Sequence, residues 1–286
     1  MNKITVFKDI DDNQYTVDDI TNTLRSVGAH DCEVLFIHTD ISFGVPNPVL
    51  KKKGYLESLY KSIENLGVKT LVFPAFTYSF CNNEVFDVRH SKTSMGALIE
   101  YIRTNKSVVR SIDPLLSFIT TGKDKHLFDG DLGNHSLGIG SAFDRLHNTD
   151  GVRFLFFGAE FEEYFTYVHY VEKILNVPYR FDKEFTGKII DYDGNVYEDN
   201  HYIHTQCGGV KLKNYEQMKA ELIADSSMKA MRLGNLQVCS ISEKEAYNAI
   251  YSRITNNINS FVHPFSKDDL THVYTFGKNG ERVTHC

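Results

Sequence analysis

The 286-residue chain has no tryptophan, only six prolines and five cysteines, and no long apolar run. Its longest hydrophobic stretches, such as Val34 to Ile37 and Phe154 to Phe157, are far below the ~20 residues that cross a bilayer. The opening MNKITVFKDIDDNQ has neither the apolar core nor the small-residue cleavage site of a secretory leader, so a cytoplasmic protein without a membrane partner is expected. Cys32, Cys81, Cys207, Cys239 and Cys286 are odd in number and never spaced Cys-x-x-Cys. That excludes a disulfide framework and a structural zinc site, leaving reduced thiols. Basic charge is scarce as well: Lys and Arg total 31 against 37 Asp and Glu, a net charge of −6. The densest basic run, Lys51 to Lys53, looks like a solvated helix start, so a nucleic-acid partner is excluded. No repeat and no Pro/Gly/Ser-rich linker divides the chain, which predicts one domain over residues 1–286.

What is present is an alternation of strand and helix patterns. Lys3 to Phe7 alternates like an edge strand. Thr16 with Asp19 opens a helix whose Ile20, Leu24 and Val27 share one face. Glu33 to His38, Thr70 to Phe76 and Arg153 to Gly158 read as strands covered on both sides, and Ser117 to Thr121 as a short one. Leu50 to Leu66, closed by Gly67, and Thr93 to Asn105 read as helices. After Pro178 the texture changes: Phe185 to Tyr192 and Val196 to Thr205 flank Asp193-Gly194-Asn195, a hairpin signal. Ser242 and Glu245 form a capping box ahead of a helix placed over about 242–262. The expected fold class is α/β: a three-layer α/β/α body with a largely parallel or mixed central sheet. Its core spans about 16–183, and a β-rich insertion at about 185–210 lies in the C-terminal half.

Functional groups gather in the loops that follow the predicted strands, where α/β proteins bind ligands. Thr166 can cap a helix that ends before Pro178, on which Val168, Val171, Leu175 and Glu172 share a buried stripe. A buried carboxylate needs a partner, and His169, three residues back and about 60° around the helix, can supply it. The pair suits a general base near neutral pH, although its spacing by itself favours a structural His–Glu pair. His38 and Ser42 at a strand-to-helix turn can bind phosphate or a thioester carbonyl, or simply cap a helix. Arg110 and Asp113 can pair with each other or contact a polar ligand. Gly138 to Ser141 lacks the spacing of a nucleotide loop and reads as a turn. Cys81, with no adjacent base, reads as an inert thiol; as a nucleophile it would form an acyl-enzyme.

In order, the blocks IHTDISFG, LVFPAFTYSF, FDVRHSKTSMGALIEYIR, RSIDPLLSFITTG, LGIGSAF and FFGAEFEEYFTYVHYVE resemble the aminoglycoside 3-N-acetyltransferase family, over roughly Thr16 to Lys183. The resemblance implies transfer of an acyl group from acetyl-CoA to an amine of a sugar-like acceptor, without a metal. Its His-x-x-Glu base maps onto His169 and Glu172. The same resemblance places His38, Thr39, Ser42, Thr77, Ser111 and Ser141 at the coenzyme, and Asp40, Tyr78, Asp113 and Arg180 at the acceptor. Asp113 stands where the family usually has His, and Thr39-Asp40 where it usually has Ser-Ser. Both put acid into the expected cleft, suiting a cationic or hydroxyl-rich acceptor.

The continuation into Val177-Pro178-Tyr179-Arg180-Phe181 resembles the branch linked to surface-polysaccharide sugars. It implies a nucleotide-linked amino-deoxysugar whose phosphates meet Arg180, Lys183 and Lys188. The rival expectations are an aminoglycoside acceptor, a metal-dependent hydrolase using His38, His169 and Glu172, and a non-catalytic coenzyme or sugar sensor. The oligomeric state, a homo-oligomer included, stays open.

Overall fold

The computed structural model describes residues 4–130 and 132–277; Lys3 of the expected first strand and Cys286 lie outside the described residues. The strand Val34–Thr39 shows why the chain layers as it does. Successive side chains of a strand point to opposite faces. Leu35 and Ile37 enter one apolar cluster and Val34 and Phe36 another, and all four are buried. Each such side chain stabilises the fold by about 1.5–3 kcal/mol.

The strand sits inside a seven-stranded sheet. From one edge the order is Met228–Leu233, Leu236–Ser242, Val152–Phe157, Val34–Thr39, Thr70–Pro74, Phe118–Gly122 and Val109–Arg110. Val34–Thr39 runs parallel to both of its neighbours, and the pairings further out are antiparallel. The sheet is therefore mixed, with its parallel part at the centre.

Helices Val17–Ser26, Lys51–Glu64 and Gly96–Asn105 cover the face that receives Leu35 and Ile37. Helices Ala142–His147, Tyr167–Ile174 and Glu243–Asn256 cover the other. The expected capping boxes at Thr16–Asp19 and Ser242–Glu245 both form.

Boundaries differ where side-chain hydrogen bonds compete with the helix. The third helix starts at Gly96 rather than Thr93, because Thr93 and Ser94 turn back to bond the Phe76 carbonyl. The last helix stops at Asn256 rather than near 262; Asn257 is extended, and the Ser260 hydroxyl donates to the Arg253 carbonyl. Thr166 occupies the N-cap position of its helix but makes no capping hydrogen bond. The hairpin strands are Arg180–Ile190 and Val196–Gln206, so the first begins five residues earlier than expected. In the turn, the Asp191 carboxylate accepts from Asp193 N and Asn195 N while Gly194 takes φ +83°.

Candidate active site

A cavity of about 350 Å³ opens beyond the carboxyl end of Val34–Thr39. His38, Thr39 and Asp40 form one wall, and Ser94 to Ile99, the start of helix Gly96–Asn105, form another. No side chain caps that helix, so its positive dipole end lies within the cavity lining without a capping side chain. His38 is 5% exposed, stacked at 5.0 Å on Phe156, and its Nε2 is buried without a partner. Burial pulls its pKa down to about 3, so the ring is neutral. Ser42, by contrast, is exposed outside this lining; its N–H donates to Asp40 Oδ1 at 2.8 Å.

Phe165 packs edge-on against His38 at 6.5 Å and directly precedes the helix that carries the expected base. On that helix His169 Nδ1 lies 2.8 Å from Glu172 Oε2. Glu172 is buried, whereas His169 keeps 27% of its side-chain surface. The ring is thus anchored on one edge and open on another, although it does not line the 350 Å³ cavity. Tyr179 donates to Glu172 Oε1 at 2.9 Å. Arg180 brings Nε to 2.6 Å from Glu172 Oε2 and Nη2 to 2.8 Å from His169 Nδ1. The Nε–H is turned off the carboxylate, so that first contact is an ion pair without an aligned hydrogen bond. Burial alone would raise the Glu172 carboxyl, but Arg180, His169 and Tyr179 together hold it well below the ordinary range. For His169, burial and then the Arg180 charge lower the pKa against the pull of Glu172.

The remaining expected residues are placed differently. Thr77 donates to the Pro114 carbonyl at 2.8 Å, and Ser111 Oγ accepts from Phe118 N at 2.8 Å. Ser141 caps helix Ala142–His147 through Asp144 N. All three are buried and lie outside the cavity lining. Tyr78 has φ +52°, a left-handed conformation that is uncommon for an aromatic residue.

Asp113 is drawn inward: its Oδ1 accepts from Leu115 N and Leu116 N, each at 2.8 Å, and from Ser136 Oγ at 3.0 Å. His201 Nε2 lies 3.4 Å from the same oxygen, and its Nδ1 lies 3.3 Å from Asp199 Oδ2. Burial disfavours the His201 charge, but Asp113 and Asp199 outweigh it and push the pKa up to about 9. A pKa raised above the unfolded value stabilises the fold below about pH 6.5, and that contribution is lost as pH climbs through about 9. Stability measured by urea unfolding is therefore expected to fall between those two pH values, and His201→Gln is expected to flatten that slope. An unchanged slope in the variant would remove His201 from the account.

No curated protein sequence matches the chain. The family model described as aminoglycoside 3-N-acetyltransferase matches residues 45–255, well over half of its length. The chain belongs to the aminoglycoside 3-N-acetyltransferase family. Membership makes it an acetyl-CoA-dependent N-acetyltransferase, with acetyl-CoA as the acyl donor.

Solved structures share the fold of this family member at low identity. YokD protein from Bacillus subtilis aligns with a TM-score of 0.70 at 19% identity, over 89% of this chain and 96% of that one. Aminoglycoside acetyltransferase AAC(3)-Xa gives 0.70 at 18%, over 84% and 92%. AAC-IIIb, solved as a binary complex with CoASH, gives 0.70 at 17%, over 88% and 99%.

Among the described residues no group of three or more His, Cys, Asp or Glu is placed to hold a metal ion, and no helix is long and apolar enough to cross a membrane. Cys81 is half-buried, and burial pushes its thiol up to about 12, far from a thiolate nucleophile.

Two contributions escaped the sequence reading. The start of helix Gly96–Asn105 lines the cavity, and the only local hint was Gly96 opening an apolar run. Arg180 turns toward His169 and Glu172 rather than outward; its burial is foreshadowed by the flanking aromatics Tyr179 and Phe181.

Proposed function

We propose that the protein transfers the acetyl group of acetyl-CoA to an amine of an aminoglycoside-type amino sugar, using His169 as general base and Glu172 as its anchor. The observation that carries this reading is the half-open His169 ring, with Nδ1 2.8 Å from a buried carboxylate. An acceptor amine must lose its proton to attack. With Nδ1–H donating to Glu172, the His169 Nε2 lone pair can take that proton, and the carboxylate steadies the imidazolium. The amine nitrogen bonds to the thioester carbonyl carbon, the C–S bond breaks, and the proton ends on the coenzyme sulfur.

The cavity wall suits the coenzyme. Met95, Ala97, Leu98 and Ile99 offer an apolar track, and the start of helix Gly96–Asn105 favours negative charge. Thr39 and Asp40 border the same space.

A second reading, a nucleotide-linked amino-deoxysugar, is favoured by how the nearby carboxylates are used. Glu172 faces Arg180, Asp113 faces His201, and Asp182 is held by Lys173, His135 and His204. Carboxylates already matched by internal cations have little left for a polycation. Lys188 stays exposed, while Lys183 donates to the Tyr274 carbonyl.

Thiol release from acetyl-CoA, followed against aminoglycosides and against free and nucleotide-linked amino sugars, separates the two. The first reading expects the highest kcat/KM with aminoglycosides, the second with the nucleotide-linked sugars. If coenzyme binds and no amine consumes it, both fail.

A further inference from the structure

The guanidinium of Arg180, one strand beyond the helix, has a place the transfer chemistry does not by itself require. We propose that Arg180 is a positioning residue of the acetyl-transfer site, a buried cation held against both members of the His169–Glu172 pair that fixes their place. The inference rests on the reading of His169 as the base.

Its geometry is that of a branch point. His169 Nδ1 lies 2.8 Å from Glu172 Oε2, an acceptor, and 2.8 Å from Arg180 Nη2, a donor. One ring nitrogen cannot donate to the first and accept from the second at once. With the proton on Nδ1, the ring donates to Glu172 and leaves Nε2 free to take a proton from the acceptor. With the proton on Nε2, Nδ1 accepts from Arg180 and the outer nitrogen is no longer basic. The guanidinium side chain is only 4% exposed, and Nη1 reaches the His204 carbonyl at 3.4 Å. It is therefore fixed by the hairpin and not free to wander.

Arg180 also faces the pair as a charge. The ionisable groups in contact with His169 are Glu172 on its own helix and Arg180 on the hairpin; the Tyr179 hydroxyl bonds Glu172, and on the hairpin Asp182 and His204 bond each other. Beyond these, Lys173 and His135 bind Asp182, and buried Tyr215 faces Glu172 and Arg180. Asp182 is matched by the Lys173 ammonium. Arg180 is thus the positive charge in direct contact with the ring, and it disfavours imidazolium there.

The test compares wild type, Arg180→Gln and Arg180→Lys in two measurements. One is the pH profile of kcat/KM. The other is the NMR titration of the His169 ring in the free protein, which needs no turnover. With Arg180→Gln, the His169 titration and the acidic limb of the profile are expected to move upward together, by about one pH unit or more. Arg180→Lys, which keeps the charge, is expected to stay close to wild type in the titration. A loss of activity equal at every pH, with the His169 titration unmoved, overturns the proposal. So does an upward shift in Arg180→Lys as large as that in Arg180→Gln, and this variant remains informative if the glutamine form does not fold. Full activity of His169→Ala would instead defeat the reading of the base, while a moved His169 titration would still support Arg180 as the group that positions it.

Discussion

Replacing His169 by alanine is expected to lower kcat by about 10²–10⁴, the range of a lost general base. Binding of acetyl-CoA is expected to persist, because the ring lies outside the cavity formed by His38 to Asp40 and the start of helix Gly96–Asn105. Stability should change little, since the imidazole is part-exposed on its helix and fills no core position. Steady-state kinetics with a calorimetric coenzyme titration separate these effects. A variant with wild-type kcat would end the assignment, and one that had lost coenzyme affinity instead would relocate the residue to the donor site. Because burial and Arg180 lower the His169 pKa, the wild-type acidic limb should lie below the ordinary imidazole value of about 6.5.

The second large effect belongs to Glu172. Glutamine at this position keeps the shape and removes the charge, leaving the Arg180 guanidinium buried without a counter-ion. Breaking a buried pair from one side costs about 3–5 kcal/mol, which for a chain of this size corresponds to a Tm lower by roughly 5–8 °C. Activity should fall nearly as far as in the His169 variant, since the imidazolium loses the carboxylate that steadies it. Calorimetry and a pH–rate profile together check this. A Glu172→Gln protein with wild-type Tm and profile would show that the carboxylate neither holds Arg180 nor serves the ring. The lowered Glu172 pKa carries its own sign: its contribution to stability is present above the ordinary glutamate range and fades as pH falls through the folded value.

The contact between those two residues was legible because it is local. An i, i+3 spacing on a helix brings His169 and Glu172 together whatever the rest of the chain does, and the 2.8 Å contact follows from the backbone. The same holds for Thr16 with Asp19 and for Ser242 with Glu245, whose reciprocal capping bonds span a single turn. Legibility faded where function depended on long-range company. Ser111, Thr77 and Ser141 carry hydroxyls suited to a ligand, but each bonds backbone instead, Thr77 to the carbonyl of Pro114, 37 positions along the chain. Asp113 looked like a cleft acid; the hairpin, almost ninety positions away in the chain, delivers His201 to it.

From sequence alone came the layering, through alternating and helical apolar periods, the hairpin turn at Asp193 to Asn195, and the family with its His-x-x-Glu pair. Such features are written in short-range spacing and backbone preference. Only the tertiary structure decided that the sheet is antiparallel toward both edges, that an uncapped helix start lines the cavity beside His38, and that Arg180 turns inward to His169 and Glu172. Which charges neutralise one another depends on segments that meet after folding, and low-dielectric burial then makes those meetings decide protonation.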